Sequence, residues 1–212
     1  MPQARQTSGP ESAAQPPLPA PDQPGADGAP VSRPVPRALS LLNGGIVIQG
    51  PTGYCIDMTA LRSEVSNAFV LMGGCAAMEG KGRGGAQVAV LTATVSTPAE
   101  TAAPLAQTFP AMAAFLQSEP GRAALSRVGD ARSVRVVSVS ATEDVLYIRA
   151  ADAAAAAWGQ PVEQDYWRAI FEIGGRYVTL TTLGLRDRPL GAAEKRRLLE
   201  AFVRAVRRAN GA

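Results

Sequence analysis

The stretch that decides the fold is WRAIFEIGGRYVTL, residues 167–180. We expect a strand on each side of Gly174-Gly175, because two glycines supply the positive φ angles that a two-residue hairpin turn requires. A second hairpin is predicted upstream, from alternating apolar residues over 133–141 and a returning run at 145–150. Hairpins need no crossover helix, so the sequence indicates an α+β domain whose mostly antiparallel sheet packs against helices.

Further strand segments are predicted before these hairpins, at 46–48, 54–58, 68–72 and 87–96. The run 68–72 is continuously apolar, which is typical of a strand that is buried on both faces. The connection at 61–66 is expected to be short and helical.

Proline positions shape the expected helices. Pro104 and Pro110 predict a break in the helical region, with a helix over 110–117 and a restart over 118–127. The last helix is predicted over 191–209. Its apolar face follows the i, i+3, i+4, i+7 spacing of one helix side and consists of Leu199, Phe202, Val203 and Val206.

Residues 1–43 differ in composition from the rest of the chain. Ten of the 17 prolines lie there, and bulky apolar residues are few. Such a segment cannot bury enough surface to offset its chain entropy. We therefore predict a disordered, spacer-like leader over 1–43 and a single α+β domain over 44–212.

The composition limits the chemistry that the chain can perform. Histidine is absent, which removes imidazole bases, His-ligated metals and Ser-His-Asp triads. The spacing in the glycine-rich segment 80–85 does not fit a phosphate-binding loop. We expect no catalytic residues, no metal and no cofactor. The net charge of +3 permits weak contact with an anionic membrane surface, whereas nucleic acid is not expected as a partner.

The two cysteines, Cys55 and Cys75, allow two interpretations. They would form a disulfide in an oxidising compartment, or remain buried free thiols in the cytoplasm. The even count and the spacer-like leader favour the disulfide, whereas no signal peptide is visible at the start of the sequence. The expected location is periplasmic or envelope-anchored, with the cytoplasm as the alternative.

Two groups of side chains are candidates for binding. Trp158, Tyr166 and Trp167 cluster between the hairpins, where they could anchor a partner or cap an aromatic-poor core. The last helix carries a basic stripe that could contact an anionic surface or form a solvated face. It consists of Lys195, Arg196, Arg197, Arg204, Arg207 and Arg208.

The element order, the hairpin at 167–180 and the terminal helix resemble the PsbP-like fold, an α/β/α sandwich. The segments 53–57, 69–75 and 121–127 are similar to secreted or anchored proteins of alphaproteobacteria for which no activity is established. This resemblance implies a fold and a compartment, and it implies no reaction.

The function expected from these features is a non-enzymatic cell-envelope module that binds another envelope protein. One alternative is a small-ligand carrier or a carboxylate-dependent enzyme with a cleft between sheet and helix. In the enzyme, scattered carboxylates such as Asp165 and Glu172 would have to converge. Another alternative is a cytoplasmic protein with free thiols.

Overall fold

The computed structural model of the chain describes residues 35–80, 89–97, 103–154 and 161–212. The strands are β1 (Ala38–Leu41), β2 (Ile46–Gln49), β3 (Tyr54–Ile56), β4 (Arg62–Ser63), β5 (Asn67–Gly74), β6 (Ala89–Ser96), β7 (Val134–Ala141), β8 (Val145–Asp152), β9 (Val162–Ile173) and β10 (Arg176–Leu185). The helices are α1 (Cys75–Met78), α2 (Leu105–Gln117), α3 (Glu119–Leu125) and α4 (Ala192–Ala209).

One antiparallel sheet organises these elements. Its strand order is β3-β5-β6-β10-β9-β8-β7, and β4 pairs with β5. Each of its strand pairs is antiparallel. The strands β1 and β2 form a separate antiparallel pair. The prediction of an α+β fold with a mostly antiparallel sheet packed against helices is therefore confirmed.

The hairpin that decides the fold forms at the predicted position. Gly174 and Gly175 have φ angles of 57° and 68°, and Ile173 pairs with Arg176 across the turn. Because β9 and β10 lie in the middle of the strand order, this hairpin is the centre on which both edges of the sheet are built.

Helices cover the sheet on both sides, so the domain has three layers. Side chains alternate between the faces of a strand. In β9, Phe171 belongs to the same buried cluster as Phe202 of α4, whereas Tyr166 belongs to the same buried cluster as Phe109 of α2. We call these two sides the α4 face and the α2–α3 face. Each has its own cluster of buried apolar side chains.

Helix α4 is fixed at both ends. The side chain of Glu194 accepts a hydrogen bond from the Gly191 backbone N–H at 2.8 Å. Asn210 exchanges two hydrogen bonds of 2.8 Å with the backbone of Val47 in β2. The predicted apolar face of this helix is buried against the sheet, as expected.

Three local expectations differ from the structure. Helix α2 runs through Pro110 without a break, because its buried residues Leu105, Phe109 and Leu116 hold it on the sheet despite the lost backbone hydrogen bond. The connection at 61–66 is not helical, since β4 pairs with β5 there. In β5, alternate residues are buried and half-buried, so only one of its faces is fully covered.

The domain also begins earlier than residue 44. Strand β1 lies within the predicted leader, and Leu41 and Leu42 are buried, because their side chains complete the cluster on the α4 face. Residues 1–34 of that leader lie outside the described residues. So do most of the glycine-rich segment 80–85 and the start of the strand predicted at 87–96. Most of residues 97–100, whose spacing predicts a helix-capping box, and most of the alanine-rich run 153–157 also lie outside the described residues.

Burial of tyrosine side chains predicts a loss of stability at high pH. Burial raises the pKa of Tyr54 from 10.0 to about 12, and it also raises the pKa values of Tyr147 and Tyr166. Above pH 10 the unfolded chain loses phenol protons that the folded domain retains, so stability present below pH 10 is lost as the pH rises towards 12. We expect phenolate absorbance from these tyrosines to appear together with the loss of circular dichroism. Ionisation of all three near their ordinary pKa in an intact fold would contradict this.

Candidate functional site

A groove on the α2–α3 face is the candidate site. Helices α2 and α3 lie over β7, and α2 also contacts β8 and β9. Beside them, side chains of β5, β6, β9 and β10 line a concavity of about 340 Å³. Its apolar wall includes Phe69, Val90, Val162 and Leu183. We call this concavity the arginine groove, after Arg127 and Arg168, which also line it.

Arg168 is placed by the register of the central hairpin. Strand alternation puts Tyr166 and Arg168 on the same face of β9, and Arg168 lies opposite Thr181 of β10. Its Nε contacts the Thr181 hydroxyl at 3.4 Å. Its guanidinium carbon lies 5.5 Å from the centre of the Tyr166 ring.

Arg127 reaches the same ring from the segment that follows α3. Asp152 is fully buried, and its carboxylate accepts hydrogen bonds from the backbone N–H groups of Arg127 and Ala154 at 2.9 and 3.0 Å. The Arg127 guanidinium carbon lies 5.7 Å from the centre of the Tyr166 ring. The Tyr166 hydroxyl donates to the backbone oxygen of Leu125 at 3.1 Å, which fixes the ring close to both arginines.

The charged side chains that line the groove are Arg127 and Arg168. Neither Arg127 nor Arg168 forms an ion pair with another residue that the structure describes. Burial lowers the pKa of the Arg127 guanidinium. The negative charge of Asp152 raises this pKa, and the positive charge of Arg168 lowers it. Arginine nevertheless stays protonated in proteins. Two cations on one ring, beside apolar walls, form a site that suits an anion with an apolar part.

The predicted cysteine pair is joined. Cys55 of β3 and Cys75 at the start of α1 form a disulfide with a Cα–Cα distance of 4.9 Å. Both are buried. The Cys75 backbone N–H also donates to the Gly53 oxygen at 2.9 Å, so α1 is fixed to β3 at its first residue.

The aromatic cluster is divided by the fold. Tyr166 is 2% exposed and belongs to the core of the α2–α3 face, so it offers no ring to a partner at the surface. Trp167 lies on the opposite face, is half-buried, and finds no hydrogen-bond acceptor for its indole N–H among the described residues. Trp158 lies outside the described residues.

The basic stripe is also divided. Lys195 is 1% exposed, so it belongs to the interior rather than to an exposed stripe. Arg196 lies over the Tyr147 ring at 3.5 Å and pairs with Glu200 at 2.7 Å. Arg207 pairs with Asp144 of the β7–β8 turn. The exposed members of the stripe are Arg197, Arg204 and Arg208.

Lys195 is the centre of a charged cluster under the first turn of α4. Its Nζ lies 3.0 Å from Glu163 Oε2 and 3.1 Å from Asp165 Oδ2, and it donates to the Asp165 backbone oxygen at 3.0 Å. Asp165 also pairs with Arg149 at 3.0 Å. Each charged group in this cluster is paired with a group of opposite charge. The cluster is therefore better explained as an ion-pair network that stabilises the fold than as an active site.

Other carboxylates do not converge on a reaction centre within the described ranges. Glu172 accepts a hydrogen bond from the Leu105 backbone N–H at 3.1 Å and so anchors the start of α2. In the part of the chain with assigned structure, no group of three or more His, Cys, Asp or Glu residues is placed to hold a metal ion. In the same part, no helix combines the length and hydrophobicity needed to cross a bilayer.

The arginine groove was not identified from the sequence. The alternation of Tyr166 and Arg168 within a strand was a usable signal, because it places both side chains on one face. No local sequence pattern indicated that Arg127 lies beside Tyr166. It follows a short helix, and its approach to Tyr166 depends on the buried carboxylate of Asp152, which is 25 residues away.

Comparisons with known proteins identify no family. No protein-family model matches the sequence, and no curated protein matches it. Among solved structures, a mutant of protein Mog1 matches with a TM-score of 0.43 and 12% identity, over 81% of this chain and 93% of that chain. This likeness is too distant to support an argument about function. The resemblance to the PsbP-like fold stays a prediction.

Proposed function

We propose that the domain is a non-enzymatic binding module that holds a small organic anion in the arginine groove. The observation that carries this proposal is the placement of Arg127 and Arg168 on one tyrosine ring, with neither guanidinium in an ion pair among the described residues. A concavity of about 340 Å³ is within the usual range of small-molecule sites. These features favour a domain that binds a small ligand over a domain that binds another protein.

The groove is better suited to binding than to catalysis. Its polar side chains are two arginines, a tyrosine and two threonines, Thr92 and Thr181. General acid–base catalysis works best with groups that titrate near the working pH. Burial moves the pKa of Tyr166 further from neutrality, and arginine stays charged. The site can therefore hold a negative charge but has no group poised to transfer a proton.

A cell-envelope location remains part of the proposal. The disulfide between Cys55 and Cys75 supports it, because structural disulfides persist mainly in oxidising compartments. An envelope protein as a partner also remains a prediction. Trp167, on the opposite face, and the exposed arginines of α4 are the described residues through which such contact would be made.

Removing the arginine charges is expected to weaken anion binding. In isothermal titration calorimetry with octanoate, the Arg127→Gln/Arg168→Gln variant should bind at least about tenfold more weakly than the wild type, because a hydrogen bond to a charged group contributes about 1.5–3 kcal/mol. Glutamine retains polar atoms but removes the charge.

Arg204→Gln is the matched control, because Arg204 is an exposed arginine of α4 that does not line the groove. It should bind octanoate like the wild type. Equal affinities for all three proteins, or no binding by the wild type at millimolar octanoate, would contradict the proposal.

A further inference from the structure

A second concavity lies next to the arginine groove. It has a volume of about 430 Å³, and its surface is mostly apolar. One wall is formed by Ala77 and Met78 of α1, and another by Leu185 of β10 together with the charged turn residues 186–188 that follow it. Val90 of β6 lines both concavities. The two spaces are therefore adjacent along the end of the sheet.

Neighbouring positions on two strands support this continuity. On β10, Leu183 lines the arginine groove and Leu185 lines the apolar concavity. At the start of β9, Val162 lines the groove and Pro161 lines the apolar concavity. Apolar side chains therefore continue from the arginine groove towards α1.

The disulfide holds in place α1, which forms one wall of the second, mostly apolar concavity. Helix α1 has only four residues, from Cys75 to Met78. Helices this short are not stable alone, so its position depends on its attachments. The bond from Cys75 to Cys55 ties it to β3, and the Met78 side chain packs near Gly73 of β5.

We propose that the ligand is an amphiphilic anion with a linear apolar chain. Its anionic head binds Arg127 and Arg168, and its chain passes Val90 to occupy the apolar concavity beside α1. This inference rests on the proposed function, because it assigns the ligand class of the same site. Charge complementarity at one end and apolar walls at the other select this class over a compact, highly polar anion.

Chain length is expected to control affinity. For the wild type, binding of linear carboxylates from hexanoate to dodecanoate should tighten about fourfold for each added methylene until the concavity is filled. The Ala77→Phe variant places a ring in the apolar concavity. Ala77 is exposed, so the larger side chain does not disturb the core. This variant should bind hexanoate like the wild type but gain little affinity with longer chains.

Ala114→Phe is the matched control, because Ala114 is an exposed alanine of α2 that lines neither concavity. It should show the wild-type dependence on chain length. The same dependence in Ala77→Phe as in the wild type, or arginine-dependent binding without any effect of chain length, would overturn the inference and leave the proposed function intact. No arginine-dependent binding of any carboxylate would overturn both.

Discussion

Replacing Lys195 with methionine is expected to destabilise the domain by about 3 kcal/mol. Lys195 is 1% exposed and is shared by Glu163 and Asp165, whose side chains are 19% and 26% exposed. Removing one partner of a buried ion pair costs about 3–5 kcal/mol, since the other charge is left uncompensated. The lower end applies here, because both carboxylates keep some contact with water and Asp165 retains Arg149.

Urea unfolding followed by circular dichroism measures this loss. Arg197→Met is the control, since Arg197 is the exposed basic residue two positions along the same helix and should change stability by less than about 0.5 kcal/mol. The single variants Lys195→Met and Glu163→Gln should each lose stability. The double variant Lys195→Met/Glu163→Gln should lose less than the sum of these two losses, because the residues interact directly. A Lys195→Met variant as stable as Arg197→Met would show that the cluster does not hold α4 on the sheet.

Removing the disulfide is the second change with a large expected effect. Cys55 and Cys75 are separated by 20 residues, and closing a loop of this size stabilises a fold by about 3 kcal/mol through the lost freedom of the unfolded chain. The Cys55→Ala/Cys75→Ala variant should lose about this amount in urea unfolding. Alanine is chosen because both sites are buried and a serine hydroxyl would need a partner there.

The reduced wild type separates the effect of the crosslink from that of the side chains. A reductant should lower the stability of the wild type by about the same amount and leave the double variant unchanged. Equal stability of the wild-type protein with and without reductant, after mass spectrometry has shown that the thiols are free, would contradict the assigned role of the bond.

Local patterns in the sequence were sufficient for the hairpins and the last helix. The turn at Gly174-Gly175 and the apolar face of α4 depend on neighbours within a few residues, so both could be predicted. The continuity of α2 through Pro110 could not, because it depends on packing against distant strands. Nor could β1, whose pairing with β2 lies at the edge of a proline-rich segment.

The burial of Lys195 also could not be predicted from the local sequence pattern. Lys195 fits the polar side of a helix pattern as well as Arg197 does, yet only Lys195 is buried. Its partners come from β9, about 30 residues earlier, and Gly184 of β10 lacks the Cβ that would collide with the Glu163 carboxylate. The arginine groove likewise joins residues from separate elements, so only the folded chain brings Arg127 to Arg168.

The arginine groove as an anion site is the central claim, and a map of octanoate binding by NMR tests it most directly. Spectra of the labelled wild-type protein would follow backbone amides and arginine Nε–H groups during the titration. We predict that the largest changes occur at Arg127 and Arg168 and at the adjoining backbone of Val90, while Arg204 and Arg208 stay unchanged. Changes confined to the arginines of α4, or none at all, would contradict the account.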